Sequence, residues 1–179
     1  MDECWIRHFL DSLLVAQFIP FASSVLDIGS GPGFPAWPLA CARPDLKVTA
    51  LDSNGKMLEF LRNSALTNLT VVQFRAEEYY RKDFFDVVTG RALAALSVQL
   101  ELSAPLAKVG GLVIPLRTPN DHNEIERFRH NRLGLELKIV QKVQLSPIQA
   151  ERVFPVFQKI APTSKKFPRK WAEIRNNPL

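Results

Sequence analysis

Residues 25–34, Val25-Leu26-Asp27-Ile28-Gly29-Ser30-Gly31-Pro32-Gly33-Phe34, join a short apolar run to three alternating glycines. Val25, Leu26 and Ile28 read as a parallel strand buried on both faces, and the glycines mark a sharp turn into a helix. Lacking Cβ atoms, such a backbone takes positive φ and approaches a bound molecule closely, while the free N–H groups of the following helix point at a carboxylate or phosphate. The stretch therefore predicts a ligand loop; the simpler reading is a tight turn. The spacing of Gly29, Gly31 and Gly33 is Gly-x-Gly-x-Gly, not the Gly-x-Gly-x-x-Gly of dinucleotide dehydrogenases. This favours S-adenosylmethionine, with its methionine carboxylate against the loop, and makes a nicotinamide-linked oxidoreductase the weakest reading.

Outward from the loop, the chain alternates. Residues to about Ala42 form a first crossover helix, with Pro35 and Pro38 in its first turns and Pro44 closing it. Lys47 to Leu51 reads as the second strand, ending in Asp52. An acid about 20 positions past a glycine loop is where an adenosine ribose finds its hydroxyl partner in this architecture, so Asp52 is a second candidate ligand. Asp52-Ser53-Asn54 also reads as a helix cap, and the two roles are compatible. Met57, Leu58, Leu61 and Ala65 give the next helix an apolar stripe. A third strand spans about Thr70 to Phe74, and its exit, Arg75-Ala76-Glu77-Glu78, offers a backbone N–H and a carboxylate to an adenine. Phe84 to Thr89 is a fourth strand with Gly90-Arg91-Ala92 at its exit, followed by a helix ending near Leu106. Gly110-Gly111 turns into a fifth strand, Leu112 to Leu116, and a helix from about Pro119 carries Ile125 and Phe128 inward and stops at Gly134. Then Leu135, Leu137 and Ile139 alternate, and Arg152 to Ile160 forms another β-like run with no helix between, which predicts an antiparallel pair at the sheet edge.

The two ends of the chain carry the remaining polar candidates. From about Cys4 to Gln17, Trp5, Ile6, Phe9, Leu10, Leu13 and Leu14 recur at helical spacing, leaving Arg7, His8, Asp11 and Ser12 as the opposite stripe, on periodicity alone a solvated face. At the other end, Lys165, Lys166, Arg169, Lys170 and Arg175 with Phe167 and Trp171 read either as solvated charge or as a nucleic-acid contact, cations meeting phosphates and aromatics stacking on bases.

Composition bounds these readings. With 179 residues and 46% hydrophobic content the chain supports one substantial core, so a single domain over 1–179 is expected, with its N-terminal helix inside 1–20 and a basic tail at 162–179. A net charge of +5 fits a polyanionic partner without requiring one. Cys4 and Cys41 share no metal-ligand or redox spacing, so no metal is expected and both read as reduced thiols. No apolar run approaches a membrane span and the first residues are acidic, which points to a cytoplasmic protein without a membrane partner, expected to be a monomer.

Alternating strands and helices with a terminal β pair is the order of an α/β class I S-adenosylmethionine-dependent methyltransferase: a Rossmann-like, mostly parallel seven-stranded sheet with helices on both faces and an antiparallel edge pair. The acceptor is narrowed by exclusion. Exocyclic amines call for an Asn/Asp-Pro-Pro-aromatic loop after the fourth strand, where this chain has Thr89-Gly90-Arg91-Ala92. Pyrimidine carbons call for a nucleophilic cysteine near that loop, and Cys4 and Cys41 lie elsewhere. Guanine N7 presents an in-plane lone pair and no proton, so alignment alone suffices and no general base is needed. The ring gains positive charge, which places Arg91 better against a phosphate, guanine O6 or the donor than against the ring face.

Arg7-His8-Phe9-Leu10-Asp11-Ser12-Leu13, Leu26 to Pro35, Leu51-Asp52-Ser53-Asn54-Gly55-Lys56, Ala76-Glu77-Glu78 and Arg91-Ala92-Leu93-Ala94 follow one another as in the small-subunit rRNA methyltransferase G family, formerly glucose-inhibited division protein B, which the chain resembles from about Arg7 onward. The resemblance implies methylation of guanine N7 in the decoding-site (530) loop of bacterial 16S rRNA, as free or precursor rRNA or in the small subunit. S-adenosylmethionine would be the donor and S-adenosylhomocysteine the product. It implies donor contacts for Gly29, Phe34, Ala76, Glu77 and Arg91, roles at the donor or RNA side for Arg7 and His8, and a functional place for Asp11. Arg117 stands where the family usually has lysine, after the fifth strand, and joins the RNA candidates with Lys165, Lys166, Arg169 and Lys170. Gly90 replaces a usual serine, and Trp171 follows Pro168-Arg169-Lys170 where glycine is expected. A small-molecule methyltransferase and a non-catalytic RNA-binding or ribosome assembly factor are the alternatives on the same fold.

Overall fold

The computed structural model describes residues 3, 5–128, 130–145 and 148–179. Cys4 lies outside them, and Cys41 is an exposed free thiol. Seven strands form one sheet: β1 (Ser24–Ile28), β2 (Lys47–Asp52), β3 (Leu69–Gln73), β4 (Phe85–Arg91), β5 (Ala107–Leu116), β6 (Leu135–Leu145) and β7 (Ala150–Lys159). Their spatial order is β3-β2-β1-β4-β5-β7-β6. The first five run parallel, and β7 enters antiparallel between β5 and β6, so the predicted edge pair is present.

Side chains alternate across this sheet and divide the core in two. Leu26, Ile28, Val88 and Val113 face a layer made of α4 (Leu96–Ser103), α5 (His122–Arg127) and the C-terminal segment, whose Phe167 and Ile174 are buried there. Val25, Val87 and Ile114 face the opposite layer, with Val15 and Ile19 of the N-terminal segment, Leu39 of α2 (Ala36–Ala42), and Leu58 and Leu61 at α3 (Glu59–Arg62). With both faces covered, β1 and β2 are buried along most of their length, the polar Asp27 and Thr49 included.

Three local expectations change. The N-terminal helix is a π-helical stretch, Trp5–Leu10, continued by one α turn, α1 (Asp11–Leu13), and a 3-10 stretch, Leu14–Phe18. The wider π turns rotate the apolar stripe off the core, so Trp5 and Leu10 are exposed while Asp11 and Ser12 of the supposed solvated stripe are buried. The fifth strand begins at Ala107, and Gly110-Gly111 forms an irregularity inside it, the register jumping from Phe85↔Ala107 to Val87↔Leu112. The helix after Pro119 ends at Arg127, and Gly134, at φ +75°, follows a separate 3-10 turn, His130–Leu133.

The strand order reverses between β1 and β4, and there the C-terminal strand ends open a crevice. The registers Ile28↔Leu51 and Asp52↔Gln73 bring the glycine loop, Asp52 and the exit of β3 to one edge of the sheet, and Arg91 closes β4 beside them.

Candidate active site

The glycine loop is pinned at both ends. The N–H groups of Gly29 and Ser30 both donate to the Leu51 carbonyl at 2.8 and 3.1 Å, and Ser30 Oγ donates to the Asp27 carbonyl at 2.9 Å. Gly29 has φ +68°, a left-handed conformation that favours glycine, with the Leu93 side chain packed close to it. Gly31, at φ +53°, faces open space and donates its N–H to Asp52 Oδ2 at 2.8 Å. Asp52 Oδ1 accepts the Asn54 N–H at 2.8 Å. The carboxylate thus ties the loop to a local turn at the end of β2, and α3, which starts at Glu59 without a side-chain cap, is not what it caps.

Two clefts open on either side of the segment 91–93. The first, of about 230 Å³, gathers Gly29, Asp52, Ala76 and Glu77 among the sequence candidates, with Phe74 and Leu102 as apolar walls. Leu93 and Trp171 also line it. Glu77 is nearly buried and lies 3.6 Å from Arg75. Two carboxylates at adjacent strand ends, facing apolar walls and a glycine backbone, suit an adenosine: acceptors for ribose hydroxyls and a flat apolar slot for a base.

The second cleft, of about 380 Å³, is basic and includes Arg7, His8, Asp11, Arg91, Arg117 and Arg152. Its centre is Asp11, only 4% exposed, whose Oδ1 accepts from Arg152 Nε at 2.7 Å and whose Oδ2 lies 3.5 Å from Arg91 Nη1. Arg91 Nη1 donates to the Arg7 carbonyl at 3.0 Å, and its Nη2 lies 3.3 Å from His8 Nδ1. A guanidinium only donates, so this His8 nitrogen is the acceptor. The Arg91 guanidinium also stands 5.3 Å from the centre of the Phe34 ring. Burial holds Arg91 below the ordinary arginine range, opposed chiefly by Asp11. Arg117 is buried, donating to the Ala94 carbonyl at 2.8 Å and to Gln99 Oε1 at 2.6 Å; burial lowers its pKa as well. Gln99 in turn donates to the Gly90 carbonyl at 2.9 Å, so Arg117 braces the backbone on both sides of the β4 exit.

Gly31, Gly33, Phe34 and Arg91 are not among the residues lining the first cleft. Gly33 sits against Leu61 and Trp37, and Phe34 packs against His8 and Phe9, with Arg91 between the two clefts. In the tail, Lys165, Lys166 and Lys170 are exposed. Arg169 turns inward instead: its backbone N–H and Nε donate to Glu101 Oε1 at 2.9 Å each and its Nη2 to Oε2 at 2.6 Å, with Glu101 wholly buried.

Two residues of the site escaped the sequence reading. Arg152 sits in a β run with no local signal, 141 positions from its partner Asp11. Asp27 lies inside the glycine motif itself, and an acid within an apolar strand is the signal that could have found it. It is fully buried, with Oδ2 accepting the Ala36 N–H at 3.0 Å and Oδ1 without a partner. Burial, opposed by that hydrogen bond, then by the Ser30 hydroxyl and more weakly by Arg91, pushes its carboxyl up to about 7. Among the described residues no group of three His, Cys, Asp or Glu side chains is placed to hold a metal, and no helix is long and apolar enough to cross a membrane.

Comparison with known proteins places this architecture. The chain is similar in fold to the 16S rRNA (adenine(1408)-N(1))-methyltransferase of Catenulisporales acidiphilia, with a TM-score of 0.63 at 14% identity, covering 78% of this chain and 89% of that one. It is also similar to a TehB-like SAM-dependent methyltransferase from Corynebacterium glutamicum, with a TM-score of 0.62 at 17% identity over 83% and 86%. In sequence it is 35% identical to the ribosomal RNA small subunit methyltransferase G of Lactobacillus johnsonii, over 99% of this chain and 80% of the relative. It is 38% identical to that of Bacillus cereus, over 94% and 76%. A family model described as rRNA small subunit methyltransferase G matches residues 1–151, and the chain belongs to that family.

Proposed function

We propose that this chain is an S-adenosylmethionine-dependent methyltransferase acting on N7 of a guanine in the 530 loop of 16S rRNA, free or within the small subunit. The observation that carries the reading is the pair of clefts meeting at residues 91–93: one fitted to an adenosine, the other lined by arginines. Asp52 and Glu77 take the donor's ribose side, and the glycine loop takes its methionine end. The donor supplies an electrophilic methyl on a sulfonium. Guanine N7 would take that methyl on its lone pair as the carbon–sulfur pair returned to sulfur, and with no proton to lose it would need no base from this chain. The chain's contribution is therefore alignment and exclusion of water. Asp11 compensates the arginines it pairs with, so a ring that gains positive charge does not face unopposed cations. Family membership supports the rRNA substrate. The base is argued from the β4 exit, which reads Thr89-Gly90-Arg91-Ala92 where methylation of an exocyclic amine calls for an Asn/Asp-Pro-Pro-aromatic loop.

The test is methyl transfer from labelled donor to 16S rRNA and to small subunits lacking the modification, followed by cleavage at 7-methylguanine and primer extension. A single stop at a 530-loop guanine is expected. Label on another base or at another site overturns the guanine-N7 reading. Donor binding without transfer to any RNA favours the non-catalytic alternative.

A further inference from the structure

We propose that Trp171, carried by the C-terminal segment, is the adenine-side wall of the donor cleft, so that tail docking and donor binding stabilise each other. The inference rests on the donor occupying the first cleft. Trp171 lines that cleft together with Leu102 and with Phe74 and Ala76 at the exit of β3. It opens α6 (Trp171–Asn176) and is held on both sides. Two residues before it, the guanidinium and backbone N–H of Arg169 close on the buried Glu101 carboxylate, one residue from Leu102 on α4. Three residues after it, Ile174 is fully buried. An indole between two such anchors has little freedom of position, yet it remains 37% exposed.

Trp37 donates its indole N–H to Ser64 Oγ at 3.2 Å, whereas among the described residues the Trp171 indole N–H has no acceptor. A planar, apolar face held at the mouth of a slot, with a spare donor at its edge, matches a purine, which presents a π face and ring-nitrogen acceptors. Ordering of the indole is already provided by the Arg169 clamp, so the contact costs little conformational entropy on binding. Any ligand that binds the docked tail better than the undocked one must shift the tail toward docking by the same factor.

The experiment measures S-adenosylmethionine and S-adenosylhomocysteine affinity by calorimetry for the wild type and for Trp171→Ala, Trp171→Phe and Asp52→Ala. Trp171→Ala is expected to weaken both ligands about tenfold, and Trp171→Phe, which keeps a ring, about twofold. In a Trp5→Phe/Trp37→Phe background, where Trp171 is the sole tryptophan, its fluorescence should change saturably with the same Kd. Hydrogen exchange of residues 171–176 should slow when donor is bound. The proposal is overturned if Asp52→Ala weakens binding while Trp171→Ala binds as the wild type does, or if donor binds without altering Trp171 emission or exchange in 171–176. If neither Asp52→Ala nor Trp171→Ala changes affinity, the placement of the donor in this cleft fails instead. Should Trp171→Ala not fold, the Phe variant and the sole-tryptophan protein still decide the matter.

Discussion

Asp27 makes stability depend on pH with an unusual sign. Its carboxyl is raised from an ordinary 3.8 to about 7 in the folded protein, mainly by burial, with one oxygen unpartnered. Between these values the folded protein holds one more proton than the unfolded chain, so this group makes stability fall as pH rises, by up to about 1.4 kcal/mol per unit. The cost begins above the unfolded value and levels off above the folded one, reaching at most about 4 kcal/mol. Asp27→Asn removes the titration while keeping an oxygen to accept the Ala36 N–H. Urea unfolding of both proteins should show the wild type losing about 2 kcal/mol relative to the variant between about pH 5 and pH 7. Groups lowered in the fold, such as Asp86 at about 2 beside Ser24 and Lys108, are common to both proteins and cancel in the difference. Parallel stability profiles across this range would refute the argument: Asp27 would then be charged in the folded protein throughout, as in the unfolded chain, and burial would not govern it.

Three further outcomes follow from the same structure. Arg169→Ala strands the fully buried Glu101 carboxylate and should cost about 3–5 kcal/mol, whereas Glu101→Gln leaves a cation that can turn to solvent and should cost less, both read as urea midpoints. Asp11→Asn removes the charge shared by Arg91 and Arg152, and should slow methyl transfer to rRNA about tenfold under saturating substrates, with donor affinity within about twofold of the wild type. If the exposed Lys165, Lys166 and Lys170 contact RNA phosphates, their joint replacement by alanine lowers the slope of log affinity against log salt by about 2–3; an unchanged slope removes them from the interface.

Much of the first cleft was legible, Gly29, Asp52, Ala76 and Glu77 among its lining, because its signals are local. The glycine spacing, the apolar run before it and the acid closing the second strand each constrain a few neighbouring residues, and the parallel registers then bring those strand ends together. The second cleft was legible only in part: Arg7, His8, Asp11 and Arg117 stand out in the sequence and line it, but their partners do not. Arg152 and Asp11 meet across 141 positions, and the Asp11 stripe looked solvated because its periodicity was read at 3.6 residues per turn where the backbone winds wider. Charge in the tail misled in a similar way. Arg169 sits among lysines that face water, and nothing near it in the chain announces that Glu101, in an otherwise apolar helix, is buried and waiting for a cation.

The sequence by itself determined the alternation of strands and helices, the terminal β pair, the ligand loop and the kinship, because hydrophobic period and glycine conformation act over a few residues and need no partner. Tertiary structure alone decided which charges are tools and which are braces. Arg117 and Arg169 are turned inward, Asp11 holds two arginines, Asp27 is left half-paired, and Trp171 is delivered to the first cleft from the far end of the chain. An ion pair or a cleft wall is defined by distance in space, and the local sequence around one partner holds no record of the other.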